Sequence, residues 1–169
     1  MIDFSLSEEQ QMLKTSAREF LQKECPETLV RKLQRDEKGY SPELWKKIAE
    51  LGWLGIPFPE KYGGMGGNAM DMAVIQEEIG RALFPSPYLS TVVLCGNLIL
   101  NLGSEEQKDE FLPKIVNGKM ILSLAITEPE SSWDDKAYDP EGITVKATPD
   151  KNDYIINGTK LINRNGCCK

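Results

Sequence analysis

The feature that most constrains this chain is a change of hydrophobic period at the run Met120-Ile121-Leu122-Ser123-Leu124-Ala125-Ile126-Thr127-Glu128-Pro129. Upstream, nearly every apolar pattern recurs at helical spacing; downstream, apolar residues alternate with period two. The run itself reads as a strand, apolar and Ile/Leu-bearing with Pro only after its end, passing into the polar turn Glu130-Ser131-Ser132-Trp133-Asp134. A chain that switches here is α+β, an all-α N-terminal part followed by an antiparallel β part. Backbone and hydroxyl donors at such a junction suit a bound cofactor. From this stretch alone, an ordinary core strand closed by Pro is the favoured reading.

The helical part is punctuated by local signals. Ser7-Glu8-Glu9-Gln10 is a capping box, which starts a helix at Glu8 with Leu13, Ala17, Phe20 and Leu21 on one face and an end near Cys25-Pro26. Residues 27–38 extend helical character, with Leu29, Val30 and Leu33 inward, until Gly39. Ser41-Pro42 opens the next helix, striped by Leu44, Trp45, Ile48 and Leu51 and closed by Gly52. Residues 53–67, with five glycines and two prolines, form a shaped loop lacking the Lys-Ser/Thr ending of a phosphate loop. Asn68 or Asp71 caps a helix that turns Met72, Ile75, Ile79, Ala82 and Leu83 to one face and Glu77 and Glu78 to the other flank. Tyr88–Leu102 is apolar on almost all sides and is expected to be the most buried helix. Ser104–Gln107 is a second capping box, whose helix is expected to break at Pro113, and Asn117-Gly118 marks a turn and the domain boundary. The expected domains are therefore 1–117 and 118–169. In the second, Ile143, Val145 and Ala147 alternate, Tyr154–Ile156 is a strand, and Asn157-Gly158 is the hairpin turn from which Thr159–Ile162 returns.

Composition narrows the function. A formal charge of −6 without a basic run argues against nucleic-acid binding. Met1–Ser5 has neither a positive start nor an apolar core, so no signal peptide is expected. No run reaches the ~20 apolar residues of a membrane span, and a cytoplasmic or organelle-matrix location follows. Histidine is absent, which removes Ser-His and Cys-His nucleophiles and most zinc enzymes. The four cysteines, Cys25, Cys95, Cys167 and Cys168, lack metal or redox spacing, and Cys95 sits in an apolar run as a core residue. No metal site is expected.

Five motifs in order resemble the acyl-CoA dehydrogenase family: Pro59-Glu-Lys-Tyr-Gly-Gly-Met-Gly-Gly67, Glu77-Glu-Ile-Gly-Arg-Ala82, Gly103-Ser-Glu-Glu-Gln107 with Leu112-Pro113, Leu124-Ala-Ile-Thr-Glu-Pro129, and Ile156-Asn-Gly-Thr-Lys160. The resemblance implies a flavoprotein oxidoreductase of fatty acid metabolism. It implies an N-terminal all-α helical bundle and an incomplete antiparallel β domain, with FAD between the β domain and a C-terminal bundle. Family members remove an α hydrogen as a proton and a β hydrogen as hydride to the flavin. By match, Leu124, Ile126 and Thr127 meet the flavin ring. Ser132 and Trp133 take positions near the pyrophosphate and the thioester, so both are cofactor- and substrate-site candidates. Trp133 replaces a small Ser of the family ending, removing a hydroxyl and adding a ring, which marks a divergent branch.

After Lys160 the chain keeps only the family's Asn-Gly, as Asn165-Gly166, and the expectation is a truncated or frame-shifted end. On that reading the catalytic base belongs to the missing bundle, no residue here is catalytic, and the isolated chain is inactive. Glu128 and Glu130 are the local carboxylates worth testing as substitutes, with Glu128 facing away from the ring if Thr127 faces it. The implied partners are an acyl-CoA thioester and an electron acceptor, with a homo-oligomer or a full-length paralogous subunit alongside. Two other readings compete: a non-catalytic interaction or acyl-CoA-binding module that docks on such a paralogue, and a helical domain without a ligand.

Overall fold

The computed structural model describes residues 5–129, 143–151 and 153–161. The chain divides into two compact units, Met1–Leu122 and Ser123–Lys169.

The first unit is all-helical, and its ends follow local chemistry. Helix α1, Glu8–Glu24, opens on the reciprocal Ser7–Gln10 box, and α3, Pro42–Glu50, opens on Ser41 with Pro at the first helical turn. Between them lies α2, Glu27–Leu33. Helix α4, Ala69–Arg81, settles the choice of cap: Asn68 accepts from Met70 and Asp71 while Asp71 answers on the Asn68 N–H, a capping box with a carboxylate at its third position. A π-wound turn, Leu89–Gly96, leads into α5, Asn97–Leu102, and α6, Glu105–Val116, starts on Ser104–Gln107.

The core joins Leu21, Leu44, Trp45, Ile48, Ile75, Tyr88, Val92, Leu112 and Ile115 to Trp53, Leu54, Ile56 and Phe58 of the glycine-rich loop. That loop is a folded structure. Met65, Gly66 and Gly67 donate to Gly55, Phe58 and Ile56 at 2.9, 2.8 and 2.7 Å. Gly64 is required by proximity, because a Cβ there would lie 2.0 Å from the Phe58 carbonyl oxygen. Two large buried side chains place their polar atoms on backbone carbonyls: Trp45 Nε1 donates to Gly118 at 3.0 Å and Tyr88 Oη to Trp53 at 3.2 Å. The Thr91 hydroxyl accepts from Leu122 N–H at 3.0 Å and donates to its carbonyl at 3.1 Å, fixing the last residue of the unit.

Several expectations are corrected. Helix α6 runs through Pro113. Proline removes the bond to the Asp109 carbonyl, but Asp109 lies on the exposed side of the helix, while burial of Leu112, Ile115 and Val116 holds the turn. The Tyr88–Leu102 stretch is buried only in part: Tyr88, Val92 and Cys95 are inside, whereas Leu98 and Leu102 are exposed. Leu83 lies past the end of α4 with φ +49° and points to solvent. Glu78 is fully buried between Arg18 and Arg81, Arg18 gripping it with two bonds of 2.7 and 3.1 Å and Arg81 with one of 2.6 Å. With Lys14–Glu77 at 2.8 Å, this ties α1 to α4.

In the second unit, β1, Lys146–Asp150, pairs antiparallel with β2, Asp153–Asn157, in the register Asp150↔Asp153 and Lys146↔Asn157. The reversal thus falls at the two residues after Asp150, not at Asn157-Gly158. Lys151 takes φ +57°, the sign that primed hairpin turns demand. A two-residue loop makes Asp150↔Asp153 the hydrogen-bonded pair, so Pro149, opposite Tyr154, sits where its missing N–H costs the ladder nothing. Through Leu161 no returning strand follows Gly158 among the described residues. Residues 120–129 likewise join no ladder there, although their composition suits a strand; a strand needs a partner edge, and β1 and β2 pair only with each other.

Cys25 and Cys95 are both buried, and burial pushes both thiols up in pKa. Thiol labelling in native buffer is expected to leave both unmodified; rapid reaction at Cys95 would contradict its buried place within the π-wound turn.

Candidate functional site

The second unit exposes both faces of its hairpin, and its one buried side chain among the described residues is polar. Glu128 is fully buried although Ile126, Pro129 and Thr144 around it are exposed. A buried carboxylate must be bonded. Its Oε2 accepts from Thr144 N–H at 2.6 Å, the Thr144 hydroxyl at 2.8 Å and Val145 N–H at 3.1 Å, and its Oε1 from Lys160 Nζ at 2.5 Å. The Lys160 ammonium, then the Thr144 and Val145 donors, hold the carboxyl at about 2 against the opposing pull of burial. Its ionised form therefore stabilises the unit above the ordinary carboxylate range, and that contribution is lost as pH falls toward 2.

The residues on either side of Glu128 are held by the same incoming segment. Lys160 Nζ donates to the Ile126 carbonyl at 3.2 Å, and Leu161 N–H to the Thr127 carbonyl at 2.9 Å. Leu124 and Thr127 are half-buried, and Ile126 is 57% exposed. Among the described residues, the Thr127 hydroxyl and the N–H groups of Ile126 and Thr127 have no hydrogen-bond partner. Open donors beside an exposed aliphatic side chain are chemically suited to a flat heteroaromatic ring with acceptor atoms on its edge, the donors facing the edge and the side chain the face. Leu124, Ile126 and Thr127 thus lie on one short stretch, with Ile126 exposed and the other two half-buried. Glu130, Ser132 and Trp133 lie outside the described residues.

The clamp on Glu128 was not foreseen as a site. Its signal lay in the sequence as a carboxylate in an apolar run and a lysine two residues past Asn-Gly. Neither says which pairs with which. Among the described residues no group of three or more acidic or Cys side chains is placed to hold a metal, and no helix is long and apolar enough to cross a membrane.

These features sit within a recognisable frame. The chain belongs to the acyl-CoA dehydrogenase family, whose N-terminal-domain model matches residues 7–119. Among similar proteins, the acryloyl-CoA reductase (NADH) of Anaerotignum propionicum is 35% identical over 160 residues, covering 94% of this chain and 39% of that protein. The structure of an acyl-CoA dehydrogenase complexed with FAD from Bacillus anthracis superposes with a TM-score of 0.81 and 30% identity, over 96% of this chain and 28% of that one. The ChsE4-ChsE5 complex from Mycobacterium tuberculosis is similar at a TM-score of 0.74 and 27% identity, over 95% of this chain and 40% of that one. The chain spans 37–42% of the length of the curated relatives it matches.

Proposed function

We propose that this chain supplies the helical domain and one wall of the flavin site of an FAD-dependent acyl-CoA dehydrogenase, with residues 1–117 as the helical domain and 118–169 as part of the β domain. The observation that carries this reading is the strip Leu124–Thr127, with open donors and an exposed Ile126 beside a locked Glu128. Leu124 and Ile126 would pack on the ring and shut water from it, and Thr127 with the strip's N–H groups would bond its polar edge. Ser132 and Trp133 would extend the site toward the pyrophosphate and the thioester. When bound, FAD supplies the hydride acceptor for the substrate β carbon. The electron acceptor and the acyl-CoA thioester are the proposed partners, and a like or paralogous subunit the proposed neighbour.

The α proton needs a base with a pKa near working pH. Glu128 does not qualify: its carboxyl sits at about 2 and both oxygens are already bonded. The base is therefore assigned to a part of the protein beyond this wall. An anaerobic assay with FAD, a series of acyl-CoA chain lengths and a dye acceptor tests the division of labour. No turnover is expected from the chain alone, and turnover once the C-terminal portion of a relative is supplied. Turnover by the chain alone that Glu128→Gln or Glu130→Gln abolishes would refute it.

A further inference from the structure

Among the described residues, both faces of β1 and β2 are exposed, so the hairpin gives the Leu124–Thr127 strip no apolar support there. What holds it is a polar segment. Gly158 lets the chain pass against Val145, just ahead of β1, because a Cβ there would lie 2.2 Å from Val145 Cγ2. Two residues on, Lys160 reaches both the Ile126 carbonyl at 3.2 Å and Glu128 Oε1 at 2.5 Å, and Leu161 N–H takes the Thr127 carbonyl at 2.9 Å. Three consecutive residues are thereby bonded from one side, two of them by a single ammonium. Glu128 in turn bonds Thr144 and Val145 at the entry to β1.

We propose that Lys160 is a positioning residue that clips Ile126 to Glu128 and so fixes the backbone of the strip carrying Leu124, Ile126 and Thr127. Its importance for the flavin rests on the function proposed above; its role as a clip does not. A charge-assisted bond of this kind is worth roughly one to two powers of ten in a local equilibrium. Lys160 is the only member of the clip that touches both the strip's main chain and the buried carboxylate among the described residues, so its loss releases both.

The test uses the full 169-residue chain and reads amide exchange together with the titration of the Glu128 carboxyl by NMR. In Lys160→Met, exchange at Thr144, Val145 and Leu161 is expected to accelerate at least about tenfold, and the Glu128 carboxyl to rise toward the ordinary range. Ile115 in α6 is expected to be unchanged. Lys160→Arg, which keeps the charge and offers more donors, should restore exchange to within about threefold. Glu128→Gln should free Thr144 and Val145 but leave Leu161 nearly as protected as before, because the Lys160–Ile126 bond survives. A Lys160→Met chain with unchanged exchange and an unchanged Glu128 titration would overturn the proposal, as would equal acceleration in α6 or no recovery with Arg. A parallel FAD titration separates the two ideas: failure of the unaltered chain to take up FAD counts against the flavin wall alone, while weaker uptake in Lys160→Met that Arg recovers links the clip to the cofactor.

Discussion

Truncating Phe58 to alanine is expected to cost the helical unit about 3–5 kcal/mol. Phe58 is fully buried in the glycine-rich loop, and its ring occupies the space beside Gly96, where a Cβ would lie 2.4 Å from Phe58 Cζ. The cost of a core truncation depends on whether the site can collapse. Here it cannot do so cheaply. The Phe58 carbonyl is held by Gly66, and the bonds from Met65 to Gly55 and from Gly67 to Ile56 fix the loop on either side. Gly96 offers no side chain to fill the void. Denaturant unfolding followed by tryptophan fluorescence checks this, since Trp45 and Trp53 lie in the same core. A loss below about 1 kcal/mol, the scale of a surface change, would mean that the loop rearranges around the gap.

Replacing Glu78 by glutamine is the second large effect, about 2–3 kcal/mol. The carboxylate is fully buried and accepts two bonds from Arg18 and one from Arg81, so the neutral amide loses charge-assisted bonds and turns an NH₂ toward a guanidinium. The loss falls below that of a fully enclosed pair because Arg18 and Arg81 keep 44% and 36% of their side chains in solvent. The Arg18 guanidinium is the main cause holding the Glu78 carboxyl below the usual range. A depressed folded pKa stabilises the protein above the unfolded carboxylate's value, and that stabilisation is lost as pH falls through the depressed one. Unfolding measured at neutral pH and again in acid should therefore show the gap between Glu78→Gln and the unaltered chain closing as pH falls. A gap that is constant with pH would assign the loss to packing.

How much of this was legible in the sequence depended on how far apart the interacting residues are. Caps within one turn were readable: Ser7 with Gln10, Ser41 with Pro42, and Ser104 with Gln107 all stand where the spacing put them. Features settled by distant partners were not. Pro113 reads as a breaker until the burial of Ile115 and Val116 on the far side of it is known. Glu78 reads as a solvent-facing acid until α1 brings Arg18 across sixty residues. Asn157-Gly158 is the stronger turn dipeptide, yet the hairpin closes after Asp150, where strand register decides. The strip Leu124–Thr127 was nameable only through family resemblance, and the Glu128–Lys160 clamp, spanning thirty-two residues, was invisible without the fold.

The central claim is that Leu124–Thr127 forms a flavin-facing wall. Titrating FAD into isotopically labelled chain and following backbone amide resonances tests it most directly. The amides of Leu124, Ile126 and Thr127 are expected to shift together and to saturate, while those of the helical core, Leu21 and Ile115 among them, stay in place. Saturating FAD that leaves these three amides unmoved, or that shifts only residues of the helical unit, would contradict the claim.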